Sequence, residues 1–509
     1  MKTRPIKRRD FIKTLSLGAT ASLLPQNIFA NFHKEQTKRP NILMIAVDDL
    51  RPQLGCYGDK NIISPNIDKL AEEGVLFERA YCQQPICMAS RNSLLSGYRP
   101  DYANIYNTKP LAELIPDALT LNKQLEKNGY DIWATGKIYH HTVDHKKQFG
   151  DKWIKPKGEW EGRGYILEEN KKIMREYALE FPNLNRSGSS DGRGPAFEIA
   201  DAPDNAYPDG ESTNLALEQL RKYSDSDKPF FMSIGYRKPH LPFNVPKKYW
   251  DMYPVEKIEL AGNPYLPKNA TKYTQFNFNE LRNYFGIPKG EETIPDDLAK
   301  TLIRGYNASV TYVDTQIGKL LEELDRLNLR ENTLIVLWGD HGWKLGEHGM
   351  WGKHTPFEID AHAPLIFSAP GFRNGSRVKA LTEFVDIYPT ICELSGIPIP
   401  KHLEGDSLVS LLKDEKADWK SAAYTQWPKH KRYEPDKVIT AYSIKTDRYR
   451  YIEWTRNGTA EILARELYDH LNDPNENKNI ADYPQNLQII KGLSKRLDGG
   501  KGWRNHKSQ

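Results

Sequence analysis

Six consecutive apolar residues, Ile42 to Val47, lie between Pro40-Asn41 and Asp48-Asp49. A strand with one wet face alternates polar and apolar residues, so an unbroken run bounded by turn formers reads as a strand buried on both faces. Such strands belong to parallel sheets covered by helices on each side, and this run therefore sets the class of fold. It also puts two carboxylates at a carboxyl strand end, where open α/β sheets place their ligands. Paired like charges at a buried strand end repel unless a cation neutralises them, although two solvated turn acids would read the same.

The pattern recurs along the chain. Strands are predicted over 75–77, 130–135, 230–235, 333–338 and 364–369, and helices over 67–73, 119–128, 212–223 and 297–327. The last helix carries Leu302, Val310, Val313, Ile317, Leu320 and Leu324 near a 3.6-residue period. Alternating strands and helices predict an α/β fold with a doubly wound, mainly parallel sheet. From about residue 423 the periodicity changes to antiparallel strands over 441–444 and 449–454, a further one over 466–469, and a helix over 486–496. The expected organisation is a catalytic domain over 38–415 and a smaller C-terminal α+β subdomain over 421–509. Residues 145–228, with a loose polar run over 185–194, read as long loops on the active-site face apart from the 212–223 helix.

The net charge of +5 misleads, because residues 1–30 hold six basic residues and one acidic, and the remainder balances 66 against 66. A neutral body gives no reason to invoke nucleic acid or an anionic membrane. Residues 1–30 combine Lys7-Arg8-Arg9-Asp10-Phe11-Ile12-Lys13, a short apolar run and Ala30, the order of an export signal of twin-arginine type. An amphipathic N-terminal helix is the alternative. No run reaches the ~18 apolar residues that a membrane span needs. Four cysteines, Cys56, Cys82, Cys87 and Cys392, show neither zinc spacing nor a disulfide framework, and a Cys56–Cys82 bridge stays open.

Two groups of residues carry chemistry. Asp48, Asp49, Asp340 and His341 all follow buried strands, and three carboxylates with one imidazole suit a hard cation such as calcium or magnesium better than zinc. Arg91, Lys137, His140, His240 and Lys353 lie in segments beyond strand ends and supply positive charge and donors for a tetrahedral oxyanion. Between the groups lies Cys87-Met88-Ala89-Ser90-Arg91 at a strand-to-helix junction, where a helix N-terminus favours an anionic group and Arg91 returns to the face of Cys87. A buried structural cysteine beside a surface arginine would fit that segment taken alone.

Together these segments resemble the sulfatase family. Cys87 to Arg91 is similar to its signature Cys-x-Pro/Ala-x-Arg. Arg39 to Asp49, Thr135-Gly136-Lys137, Lys238-Pro239-His240 and Asp340-His341-Gly342 follow in the family's order. Gly136-Lys137-x-x-His140, Asp340-His341 and Gly346-Glu347-His348-x-x-Trp351-x-Lys353 look most like the iduronate-2-sulfatase branch. The resemblance implies an alkaline phosphatase-like fold. It implies calcium held by Asp48, Asp49, Asp340, His341 and a modified Cys87, which a maturation enzyme oxidises to formylglycine. In that scheme a hydroxyl of the hydrated aldehyde attacks sulfur, and Arg91 and Lys137 stabilise it. His140 assists its collapse, while His240 and Lys353 grip the sulfate and serve the leaving oxygen. Two positions depart from the pattern. Ala89 replaces the commoner proline, so the maturation enzyme must accept alanine, and His354 stands where an aromatic residue is expected. Trp343 and His354 are the candidate sugar contacts, with a core tryptophan as the other reading of Trp343.

The expected activity is hydrolysis of sulfate esters on a sulfated saccharide, a 2-O-sulfated uronic acid or another polysaccharide-derived sugar. A phosphomonoester or phosphonate monoester hydrolase on the same fold is the second reading, and a carbohydrate-binding protein with unmodified Cys87 the third.

Overall fold

The computed structural model describes residues 39–499 apart from 103–104, 106–108, 182–191, 276–279, 291, 373–374, 430–438, 457–458 and 460. The expected export signal and residues 185–191 of the polar run lie outside the described residues.

Eight strands build the central sheet: β1 (Asn41–Asp48), β2 (Val75–Phe77), β3 (Asp131–Gly136), β4 (Trp153–Ile154), β5 (Phe230–Pro239), β6 (Thr333–Gly339), β7 (Leu365–Ser368) and β8 (Ser376–Val378). Their order is β8-β2-β7-β6-β1-β5-β3-β4. β1 is central and runs parallel to both β5 and β6, while β7 runs antiparallel to β6 and β2. The sheet is therefore mainly parallel, as the unbroken apolar runs require.

The residues of β1 divide between two cores. Leu43, Ile45 and Val47 pack with α1 (Pro65–Glu73), α3 (Pro208–Ser224) and α4 (Asp296–Arg326), whose Leu302, Val310, Ile317 and Leu324 form the buried stripe. Ile42, Met44 and Ala46 face the opposite layer with Leu94 and Leu95 of α2 (Cys87–Ser96) and with Tyr388 and Ile391. Burying each large side chain contributes roughly 1.5–3 kcal/mol, so a polar residue anywhere in the run would be costly.

A second, antiparallel sheet follows: β9 (Ala423–Lys429), β10 (Ile439–Lys445), β11 (Tyr449–Arg456) and β12 (Ile462–Asp469). One face carries Ile444, Tyr451 and Leu467 against Leu493 and Leu497 of α5 (Leu487–Gly499). The other carries Trp427, Ile452 and Trp454 against Met350 and Phe357 from the preceding part of the chain. Both sheets lie within one compact unit, Pro40–Gln509.

The stretch 145–228 is more regular than its composition suggests. It contains most of a helix over Thr142–Phe149, another over Glu168–Glu180, and α3, which begins at Pro208, four residues earlier than expected. Glu168–Glu180 buries only Lys171, Met174 and Tyr177, a stripe too sparse to stand out in a charged sequence. All four cysteines are free, so Cys56 and Cys82 form no bridge.

The middle of β5 is tightly fitted where it meets the end of β3. A Cβ on Gly235 would lie 2.0 Å from the Lys137 carbonyl oxygen, whose own backbone N–H donates to Gly235 O at 2.8 Å. Backbone cannot swing aside as a flexible side chain can, so Gly235→Ala must displace the segment that carries Lys137. The substitution should cost about 1–3 kcal/mol in urea denaturation, with activity falling further than stability alone explains.

Candidate active site

The site forms where β1, β5 and β6 end. Asp340, just past β6, donates its backbone N–H to Val47 O at 3.1 Å, and its Oδ1 accepts from the Asp49 N–H at 3.0 Å. Asp49 has a left-handed backbone, φ 59°, a conformation that costs an aspartate about 1 kcal/mol or more unless its surroundings hold it. Here they do: Tyr306 of α4 donates its hydroxyl to Asp49 O at 2.9 Å. The turn faces Asp48 and Asp49 toward the same centre, together with Asp340 and His341.

Cys87 is the first residue of α2, and its thiol is 3% exposed. The helix closes on Gly97, whose φ of 77° suits the left-handed C-terminal cap. Cys87 Sγ lies 3.3 Å from His341 Nε2, 3.4 Å from Lys353 Nζ and 3.8 Å from Asp49 Oδ1. Burial, then the Asp48 carboxylate, push this thiol well above the ordinary cysteine range. A neutral thiol in that setting is a poor nucleophile.

Arg91, one turn further along α2, has no exposed surface. Its Nε donates to Asp340 Oδ2 at 2.8 Å, its Nη2 to Asp48 Oδ1 at 3.3 Å, and its Nη1 to the backbone of Lys137 and Ile138. The Lys137 ammonium pairs with Asp48 Oδ2. Lys353 Nζ pairs with Asp49 Oδ1 at 2.6 Å, and His240 Nε2 lies 3.9 Å from Asp49 Oδ2. Burial would raise both aspartates, but Lys137, then His240 and Arg91, hold Asp48 well below the usual carboxylate range. Asp49, opposed by Asp48, is pushed up to about 7 by burial despite Lys353.

The donors fit a metal. Ligand atoms of Asp48, Cys87, Asp340 and His341 lie within 4.8 Å of one another, as do those of Asp48, Asp49, Cys87 and His240. Asp49 Oδ2 is buried without a hydrogen-bond partner, and His341 turns Nδ1 to Gly342 O at 2.9 Å, leaving Nε2 to face the centre. A second cluster, Glu358, His470 and Glu476, is neutralised by Arg450 at 2.6 Å and 2.7 Å from the two glutamates and is an ion network.

His140 follows Lys137 in a bend whose ring reaches solvent. Partial loss of water around the ring, then the Lys137 ammonium and His141, push its pKa well below the histidine range. A neutral ring there can accept a proton. Lys353 is presented by the hairpin that pairs Lys344 with Gly352, and Asp360 braces the turn by accepting from the Thr355 N–H at 2.9 Å.

Both expected sugar contacts are as buried as the cations beside them. Trp343 is 2% exposed: the Lys353 ammonium lies over its ring, 4.9 Å from the centroid, and His240 packs 6.4 Å away. His354 is also 2% exposed, with its ring edge-on to Trp427 at 4.6 Å. Sequence adjacency placed both beside the site but said nothing of which way each ring turns. One site residue was not anticipated: Glu280, whose Oε1 lies 2.8 Å from His240 Nε2 and whose Oε2 lies 3.4 Å from Lys353 Nζ. It belongs to no motif, so no sequence signal marks it.

A family model described as Sulfatase matches residues 40–397, and one described as N-sulphoglucosamine sulphohydrolase, C-terminal, matches residues 346–501. The iduronate 2-sulfatase of Mus musculus is 32% identical over 529 residues, covering 89% of this chain and 93% of its own. A sulfatase of Formosa agariphila is 31% identical over 477 residues, covering 90% and 87%. Among solved structures, a phosphonate monoester hydrolase of Agrobacterium radiobacter aligns with a TM-score of 0.69 at 21% identity, over 90% of this chain and 95% of that one. A 2-O GAG sulfatase aligns with a TM-score of 0.68 at 23% identity, over 90% and 91%. At those identities the two structures speak for the fold alone.

Arg91 is the group whose removal the site tolerates least. Arg91→Met leaves Asp48 and Asp340 buried without their shared counter-charge and should cost about 3–5 kcal/mol in urea denaturation. A loss below about 1 kcal/mol would mean that the other cations suffice to neutralise the pair.

Proposed function

Because the chain belongs to the sulfatase family and is a sulfuric ester hydrolase acting on sulfated sugars, we propose that its substrate is a 2-O-sulfated uronic acid at a glycosaminoglycan end, or a comparable sugar from another polysaccharide. The observation that carries the reading is the setting of residue 87: it opens the sulfatase signature at a helix N-terminus, facing Asp49, His341 and Lys353. Similarity to iduronate 2-sulfatases supports the choice of sugar.

Residue 87, oxidised to formylglycine by a maturation enzyme that accepts Ala89, supplies after hydration the hydroxyl that attacks sulfur. Asp48, Asp49, Asp340 and His341 would hold calcium, which when bound supplies positive charge against the anionic oxygens of the ester. Arg91 and Lys137 orient the hydroxyl and offset its charge. Neutral His140 takes a proton as the sulfated enzyme returns to the aldehyde. His240 and Lys353 bind the sulfate and serve the leaving oxygen. Selection among sugars falls to exposed groups beside the site, His140 among them. Residues 1–30 would direct export by the twin-arginine route. Among the described residues no helix is long and apolar enough to cross a membrane.

The test is turnover of defined sulfated saccharides against matched phosphate and phosphonate monoesters. Release of 2-O-sulfate from a uronic acid is expected, and preferential phosphonate turnover would replace the reading. Two further outcomes are expected. Mass spectrometry of the peptide spanning 80–95 should show an aldehyde or its hydrate at residue 87, and Cys87→Ala should be inactive; a fully active protein with a free thiol there would exclude formylglycine. Chelation should abolish activity and, for calcium near a hundred times its dissociation constant, remove about 2.7 kcal/mol of stability, with calcium restoring both. Full activity after chelation would exclude the metal.

A further inference from the structure

Glu280 joins two groups that the chain supplies from different places. His240 lies just beyond β5, and Lys353 comes from the hairpin that follows β6. One carboxylate oxygen of Glu280 meets His240 Nε2 at 2.8 Å and the other meets Lys353 Nζ at 3.4 Å. The residue is 8% exposed, and its ion pairs are with these two side chains. Burying a carboxylate costs several kcal/mol unless it is paired, so its position is set by this pairing and not by solvent.

The histidine ring is thereby fixed at both ends. Its Nδ1 lies 2.6 Å from the Leu241 carbonyl oxygen, which can only accept, and Glu280 draws Nε2 toward Lys353 and the centre. Lys353 Nζ is held at three points, by Asp49 Oδ1 at 2.6 Å, Cys87 Sγ at 3.4 Å and Glu280. Removing Glu280 would free the His240 ring to turn about its Nδ1 contact and would leave Lys353 drawn toward Asp49 and residue 87.

We propose that Glu280 is a positioning residue for the leaving side of the reaction, holding His240 and Lys353 as one unit aimed at the bridging oxygen of the ester. The proposal rests on the sulfatase reading above. As the hydroxyl oxygen of residue 87 bonds to sulfur, the bond from sulfur to the bridging oxygen breaks and its electron pair stays with the sugar oxygen; that oxygen takes a proton from the Lys353 ammonium, and solvent restores the proton to Lys353. A sugar alkoxide is a poor leaving group and depends on this alignment. A 4-nitrophenolate leaves without a proton and depends on it far less.

The experiment compares kcat and KM of the formylglycine-bearing wild type, Glu280→Gln and Glu280→Asp on a 2-O-sulfated uronate and on 4-nitrophenyl sulfate. For Glu280→Gln, kcat on the sugar sulfate should fall about 10- to 100-fold with little change in KM, and the loss on the aryl ester should be about tenfold smaller. Glu280→Asp, which keeps the charge but shortens its reach, should show the same asymmetry at reduced size. Equal losses on both esters would overturn the proposal. So would a rise in kcat with tighter inhibition by inorganic sulfate, which would make Glu280 an occupant of the sulfate seat. Melting temperature and aldehyde content of each variant separate misfolding from chemistry. The ratio is read on whichever ester class the wild type hydrolyses. A wild type that prefers phosphonates therefore removes the substrate reading, while the ratio alone decides the role of Glu280.

Discussion

The structure depends on keeping Asp48, Asp49 and Asp340 together although they repel. In a buried site two like charges a few ångströms apart are unfavourable by several kcal/mol unless something of opposite sign lies between them. Arg91 is placed for this, with one guanidinium edge on Asp340 and another on Asp48. Because it also donates to the carbonyls of Lys137 and Ile138, neutralising the acids and placing the next cation are one act. With Glu280 the centre carries four carboxylates against Arg91, Lys137 and Lys353. A divalent cation would turn that balance from minus one to plus one.

The scaffold converts this local problem into a rigid geometry. β1, β5 and β6 are neighbours in one parallel sheet, and their carboxyl ends bring Asp48, His240 and Asp340 to a common edge. The antiparallel sheet contributes from outside by packing Trp427 and Trp454 against Met350 and Phe357, on either side of Lys353. The smaller sheet thus backs the segment that carries Lys353, and the family model of the C-terminal part begins as far back as residue 346.

What was legible in the sequence was local. The β1 run announces its own burial, because six apolar residues cannot alternate faces in water, and the acids at its end follow with it. Cys87, Asp340 and Lys353 sit inside compact motifs whose spacing survives any arrangement of the rest. Glu280 was invisible because its role depends on a contact 40 residues back, with His240, and another 73 residues ahead, with Lys353. For Trp343 and His354 the sequence showed only nearness to Lys353 and not ring orientation: one ring lies beneath its ammonium and the other turns toward Trp427. The helices over 142–149 and 168–180 were read as loops because neither shows an apolar stripe: the first buries Asp144, His145 and Gln148 with Phe149, and the second only Lys171, Met174 and Tyr177. The strand over 153–154 is too short for periodicity to register.

The depth of Cys87 sets an order of events. At 3% exposure, in the first turn of a helix whose ten residues are all buried, the thiol is out of reach of any enzyme large enough to recognise Cys-x-Ala-x-Arg from outside. On the formylglycine reading, oxidation must precede the docking of α2 onto the sheet. The window is bounded by synthesis, since the partners that bury α2 include Ile387, Tyr388 and Ile391, which leave the ribosome some 300 residues later. Until then the signature is an open peptide. Once those residues arrive the chain closes over it, and a molecule that missed its oxidation is locked into the same fold with a thiol where the aldehyde should be.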